Sequence, residues 1–240
     1  MQAEATPGDA GTPLVSCLCV TRGRPALLAR ALRCYRAQTW ARRELLVVFE
    51  GDDEATRAVL AALPDAGIDA AAIRVIEVPA EPKRTLGALR NMAVAAARGE
   101  IVAQWDDDDW HAPQRLAAQI GALQRAGAAA CVLSRWLFWD AQTGDAFVSG
   151  RRAWEGSLVA RRDAMPAYPD VTRGEDTEVV RALAEQGRLA MLDEPTLYIY
   201  TVHAGNTWGR AHWETHLRPY AERLPADWQA RVRLILEEPA

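Results

Sequence analysis

The 240-residue sequence predicts an α/β fold: a doubly wound, mostly parallel sheet with helices on both faces, followed by a mixed second half. Three observations predict it. Near-continuous apolar runs of strand length recur through the first half, as parallel strands buried on both faces require. Each run is followed by a segment of helical composition, at lengths that suit βαβ crossovers. Hydrophobic residues make up 50% of the chain and charged ones 25%, enough apolar mass for one sizeable core.

The elements follow in order. Residues 14–20 read as the first strand, and Pro25 stands where a helix over 26–38 begins. Residues 44–49 form the second strand. A helix over 54–63 stops at Pro64. The third strand is 73–78, and an alanine-rich helix over 86–98 closes at Gly99. The fourth strand is 101–105, followed by a helix over 113–125. The rhythm then changes. Residues 130–139 read as one strand, 140–145 as a turn, 147–148 as the start of a return strand and 156–160 as a short strand. A helix over 175–186 precedes short strands at 189–192 and 196–202, and the remainder reads as helices over 212–223 and 228–236. Ligands are expected beyond the carboxyl ends of the parallel strands.

Composition excludes several classes. The net charge of −4 is shared evenly between the halves, so the chain lacks the basic face of a nucleic-acid binder. Uninterrupted apolar runs reach only about six residues, short of a membrane span. The opening twelve residues lack the basic and apolar regions of a signal peptide and read as a flexible N-terminus. Cys17, Cys19, Cys34 and Cys131 make no C-x-x-C and no zinc-finger spacing, so they read as buried thiols of a reduced, cytoplasmic protein. Lys83 is the only lysine; the arginine bias matches GC-rich codon usage, and nine tryptophans is a high number.

Four features carry chemistry. The first is Asp106-Asp107-Asp108-Asp109, directly after the fourth strand and between Trp105 and Trp110. Adjacent carboxylates repel one another unless a cation neutralises them. With a polyphosphate ligand, such oxygens are the usual home of Mg²⁺ or Mn²⁺. The second is Gly174-Glu175-Asp176 at a helix start, where a carboxylate can serve as a general base toward a hydroxyl. The third is His203, just past a strand in a turn with Gly205 and Asn206, which sets an imidazole at a site rim. The fourth is Lys83, Arg84 and Arg90, suited to phosphate oxygens. Each has an ordinary structural alternative: a solvated acidic loop, a helix N-terminal acidic pair, a structural histidine, or exposed helix charge.

Together these segments resemble the family 2 glycosyltransferases. Residues 13–21 look like that family's opening strand. Residues 88–91 and 97–102 resemble its helix-then-strand lead-in, and 106–109 with Trp110, Pro113, Leu116 and Gln119 its D-x-D-D segment. Gly174-Glu175-Asp176 is similar to its catalytic acidic motif. The likeness runs from about Pro13 to Trp208.

The resemblance implies a GT-A type fold, Rossmann-like, as one domain over 13–240: a nucleotide-binding half (13–110), an acceptor and catalytic half (111–208) and a C-terminal helical segment (209–240). It implies inverting transfer of a sugar from a nucleotide diphosphate sugar, a UDP-sugar by default, to a hydroxyl of a glycan, lipid-linked or small-molecule acceptor. It implies Mn²⁺ or Mg²⁺ held by Asp108, Asp109 and His203. Asp176 would be the base, with Glu175 as neighbour or substitute. Asp106 and Asp107 would lie on the nucleotide side, with Lys83 and Arg90 facing the nucleotide and phosphates. Trp154, Glu155, Gly156, Ser157 and Trp208 would shape the sugar and acceptor pocket.

The sequence departs from the pattern in two places. Thr21-Arg22-Gly23 replaces Thr-Tyr-Asn, and Phe49-Glu50-Gly51 replaces Asp-Asp-Gly. Those positions read the nucleobase in the family, so Thr21, Arg22, Glu50 and Asp52 become the candidates here. The competing readings are a nucleotidyltransferase, disfavoured by a first loop with only one glycine, and a non-catalytic carbohydrate- or metal-binding module. The Trp- and Arg-bearing segment 208–233 would cover the acceptor or rest peripherally on a membrane surface, with only a modest apolar face for the latter.

Overall fold

A computed structural model describes residues 11–63 and 72–237. Most of the expected flexible N-terminus, and the helix stop at Pro64, lie outside the described residues.

Strands β1 (Val15–Val20) and β2 (Arg43–Glu50) are buried on both faces, as their unbroken apolar runs demand. Helix α1 (Pro25–Arg36) joins them. Its first turn accepts Pro25 because the missing N–H would have no partner there, and Leu28, Ala31, Leu32 and Tyr35 bury one face. Helix α2 (Glu54–Ala61) is capped by Asp53, which accepts from the Thr56 amide at 3.0 Å. Strand β3 (Ile73–Val78) follows, then α3 (Leu86–Ala96), capped by the Thr85 hydroxyl. Strand β4 (Ile101–Gln104) lies parallel to β1 on the side away from β2. Gly99 leads into β4 so close to β1 that a Cβ would stand 2.7 Å from Leu14 O, Ser16 N and Ile101 O.

The second half comprises β5 (Trp110–His111), α4 (Arg115–Arg125), β6 (Ala130–Leu133), β7 (Leu137–Asp140), β8 (Asp145–Val148), β9 (Trp154–Arg161), α5 (Glu175–Glu185), β10 (Leu189–Leu192), β11 (Tyr198–Val202), a single turn α6 (Arg210–His212), β12 (Glu222–Arg223) and α7 (Ala226–Glu237). The main sheet has the order β10-β6-β9-β4-β1-β2-β3. All its pairings are parallel except those of β9, which runs against β4 and β6. A second sheet, β12-β8-β7-β11-β5, packs its own aromatic core. Strand order reverses between β1 and β4, so the crevice beyond their carboxyl ends is the switch point of the fold.

The expected α/β architecture is thus present, with two local corrections. The run 130–139 is two strands in different sheets. The chain turns at Ser134 and Trp136, whose carbonyls accept from the Arg152 and Ser149 amides. The apolar pattern carries no mark of this break, because both pieces are buried. The expected helix over 212–223 is instead one α-turn, a π-turn over Trp213–Leu217, a 3₁₀ turn to Tyr220 and strand β12. Pro219 has no N–H with which to continue the helical ladder. All four cysteines are buried free thiols, and burial pushes Cys17 up to about 12. No helix among the described residues is long and apolar enough to cross a membrane.

Candidate active site

Two adjoining cavities open at the switch point. One is small, about 110 Å³, and strongly charged; Arg24, Arg90, Asp106, Asp108, Asp176 and Asn206 are among the residues that line it. The other, about 260 Å³, has a largely aromatic wall that includes Trp136, Trp154, Tyr200 and Trp208. Asp106, Asp109, Asp176, Tyr200 and Trp208 border both. A larger cavity of about 430 Å³ lies at the opposite ends of the strands, beside Pro13, Glu100 and Arg161, and gathers no comparable group of carboxylates.

Arg90 organises the charged side. Buried on α3, it donates from Nε to Glu175 at 2.8 Å and from Nη2 to Asp106 at 2.9 Å. A guanidinium fork can hold two carboxylates at once, whereas an ammonium is a point charge. Gln104, the last residue of β4, donates to Asp106 at 3.0 Å and reaches Asp176 at 3.5 Å. Gly174, at φ +72°, supplies the left-handed turn that starts α5. Glu175 is thereby driven into the interior against Arg90, while Asp176 stays partly exposed at the junction of the cavities. Burial pushes the Asp176 carboxyl up to about 6; Arg90 opposes the shift, and Glu175, Asp106 and Glu155 add to it.

The acidic run divides by orientation. Asp106 faces the cavities. Asp107 is fully buried, accepting from the Thr21 hydroxyl at 2.6 Å and pairing with Arg24 at 2.6 Å. Asp108 Oδ2 lies 2.7 Å from Arg24, 3.3 Å from His203 Nε2 and 3.4 Å from Asn206 Nδ2. Asp109 turns into the second sheet, where it accepts from the Tyr198 hydroxyl and, at 3.0 Å, from the Thr201 amide. Burial with Asp108 and Asp106 nearby raises its pKa well above the usual carboxylate range.

The Asp108 carboxylate and the His203 imidazole form a hard oxygen and nitrogen pair suited to a divalent cation. Among the described residues no third His, Cys, Asp or Glu completes a protein cage. A cation held here would need its remaining ligands from a bound molecule and water.

The sequence profile of Glycosyl transferase family 2 matches residues 16–163, more than half of the chain. The chain belongs to glycosyl transferase family 2. It is 35% identical over 101 residues to the succinoglycan biosynthesis protein ExoO of Rhizobium meliloti, a match covering 42% of this chain and 27% of that protein. It is 32% identical over 103 residues to the putative glycosyltransferase EpsH of Bacillus subtilis, covering 42% and 28%. The matched region thus spans little more than a quarter of these relatives. The fold is that of S. aureus TarS 1–349 in complex with UDP-GlcNAc (TM-score 0.63, 15% identity, 80% of this chain and 60% of that one). It is also that of the mannosyltransferase PcManGT of Pyrobaculum calidifontis in complex with GDP-Man and Mn²⁺ (TM-score 0.61, 18% identity, 85% and 60%).

Within this family 2 chain, the structure gathers some of the expected residues and disperses others. Asp106, Asp108, Arg90, His203, Glu175 and Asp176 converge. Asp107, expected on the nucleotide, is buried against Thr21 and Arg24, while Asp109, expected on the metal, borders both cavities with its carboxyl bonded to Tyr198 and Thr201. Thr21 itself is buried, and Ser157, expected in the pocket, is a core residue whose hydroxyl donates to Trp154 O at 2.6 Å and accepts from the Leu133 amide. Glu175 is committed to Arg90 and so is not placed as a base. Lys83, expected against phosphates, sits 2.9 Å from Asp52 and 3.4 Å from Glu50. Arg22 joins the same carboxylates, 2.9 Å from Asp52, so the four form one ion network at the end of β2. Sequence reasoning missed Arg24, Gln104, Arg152, Arg173, Tyr200 and His212, all near the cavities. Only Arg24 had a signal in the sequence: it lies three residues beyond Thr21 in the loop after β1.

Proposed function

We propose that the protein is an inverting glycosyltransferase that moves a sugar from a nucleotide diphosphate sugar to a hydroxyl acceptor. Family membership supports the reaction class, and the name of its relative ExoO, a succinoglycan biosynthesis protein, favours a glycan product. The observation that carries the mechanism is the position of Asp176 between a charged cavity and an aromatic one. Donor diphosphate in the first and acceptor in the second would meet at its carboxylate.

Asp176 then accepts the proton of the acceptor hydroxyl as that oxygen attacks the anomeric carbon from the face opposite the diphosphate. One displacement inverts the stereochemistry, and no covalent nucleophile is required. A pKa near 6 leaves the carboxylate ionised at neutral pH yet basic enough to take the proton. Arg90 fixes Asp106 and Glu175 beside the base. Arg24 and Arg173 add positive charge around the leaving group. Asp108 and His203 are the residues that would hold Mn²⁺ or Mg²⁺, which when bound offsets the charge developing on the diphosphate. Arg22, Glu50, Asp52 and Lys83 form the candidate nucleobase subsite. A UDP-sugar is the first donor to test, with GDP-sugars next because PcManGT binds GDP-Man.

The test is a thermal-shift screen of UDP, GDP, dTDP and CDP, each with and without Mn²⁺. One nucleotide should raise the unfolding temperature by several degrees, and Mn²⁺ should enlarge the shift. A protein that none of the four stabilises is not a nucleotide-sugar enzyme of this kind.

A further inference from the structure

The aromatic cavity has features that bear on what enters it. Trp154, Trp136 and Tyr200 form a stack: Trp136 lies 4.4 Å from Trp154 and 5.4 Å from Tyr200, at interplanar angles of 27° and 17°. Across the opening stands Trp208, 44% exposed and stacked on His212 at 4.6 Å. His212 is carried at the edge of the π-turn, a distortion that often marks functional segments. Gly156 keeps the wall open. A Cβ there would sit 3.1 Å from the Tyr198 hydroxyl, 3.3 Å from Trp136 and 3.4 Å from Asp106. Trp136 is 4% exposed, and its buried indole N–H has no hydrogen-bond partner among the described residues.

The charges facing this cavity are mainly acidic: Asp106, Glu155 and Asp176, against the single guanidinium of Arg152 among its lining residues. Arg152 is already engaged, paired with Glu155 and lying 4.5 Å above the Trp154 ring. Burial and His216 favour the neutral form of His212. The Arg173 guanidinium stands 5.9 Å over the Trp208 ring, but an anion beside Asp176 and Glu155 would meet like charge.

We infer that the acceptor, on the transfer reading above, is an uncharged hexopyranose ring, its apolar C–H face laid on Trp208 and the aromatic wall and its hydroxyls directed to the carboxylates. The apolar face matches the exposed indole, and carboxylates accept from several hydroxyls at once. A uronic acid or a phosphate-bearing alditol would instead place its charge against Asp176 and Glu155.

Saturation-transfer NMR on the intact chain tests this with methyl hexopyranosides, the matching methyl hexuronides and an alditol phosphate, each with and without the best-stabilising nucleoside diphosphate. Hexoside ring protons should receive saturation at least tenfold more strongly than those of the charged probes. Trp208→Ala should lose the hexoside signal without lowering the unfolding temperature, because that side chain is largely outside the core. Glu155→Gln, by freeing Arg152, should narrow the hexoside-to-hexuronide gap. Equal or stronger binding of the charged probes, no hexoside binding, or an unchanged signal in Trp208→Ala overturns the inference. The two readings separate cleanly. A protein stabilised by a nucleotide that favours hexuronides keeps the transfer reading and loses this one. One that binds hexosides but answers to no nucleotide keeps the saccharide pocket and loses transfer.

Discussion

Replacing Asp176 with Asn separates function from stability in one variant. The substitution keeps shape and removes both the charge and the basic oxygen. With the carboxyl pushed up to about 6 by burial and by Glu175, Asp106 and Glu155, about nine-tenths is ionised at pH 7 and about one-tenth at pH 5. Wild-type transfer should therefore fall about tenfold per pH unit below 6, and Asp176→Asn should lose about 10²–10⁴-fold at pH 7. The same shift sets the stability change. A carboxyl whose folded pKa is raised contributes stability that is present below its unfolded pKa and lost as pH rises through 6. At pH 7 the ionised carboxylate opposes folding, so the neutral amide should stabilise the fold by about 1–3 kcal/mol, an advantage that vanishes below about pH 4. The assays are nucleoside diphosphate release from the stabilising nucleotide's sugar conjugates, with and without the hexoside panel, and urea unfolding at pH 7 and 4. A variant that keeps more than a tenth of wild-type transfer removes Asp176 from the base role. One that is less stable than wild type at pH 7 shows that the carboxylate is held by favourable partners, against the desolvation argument.

Arg90→Met would leave Glu175 and Asp106 without their common cation, one of them fully buried, and should cost about 3–5 kcal/mol in urea unfolding at pH 7. Arg90→Lys should recover only part of this, since one ammonium cannot reproduce the fork. Asp108→Asn should abolish the Mn²⁺ increment to nucleotide affinity measured by calorimetry while leaving metal-free binding within a few-fold; an undiminished increment excludes Asp108 as a ligand. Gly99→Ala, with its methyl 2.7 Å from backbone atoms of β1 and β4, should destabilise by about 1–3 kcal/mol or more in thermal unfolding, without changing nucleotide selectivity.

The alternation of buried apolar runs with helical segments is a one-dimensional property, so the parallel half of the sheet was legible from end to end. So was the order of the motifs, because each belongs to a strand end or a helix start. What a linear reading could not resolve is direction. Asp106 to Asp109 are chemically identical in sequence. Yet the chain leaving β4 turns each carboxylate a different way: Asp107 to Arg24 and Thr21, Asp109 to Tyr198 at the border of the two cavities, and Asp106 and Asp108 into the charged cavity. Glu175 and Asp176 likewise differ only by which faces Arg90 across a helix turn. Lys83 is expected against phosphates from its charge and from the family resemblance, and the structure gives it to Asp52 and Glu50 at the end of the neighbouring strand.

By itself, then, the sequence determined the fold class through its periodicity and, through the resemblance of its ordered motifs, the family. The tertiary structure alone decided which carboxylates are tied to buried partners, which cation is already spent, and that aromatic and charged side chains from distant segments enclose a second cavity beside Asp176. Those outcomes depend on burial and on partners up to a hundred residues away, and desolvation and pairing energies exist only once the chain has brought the groups together.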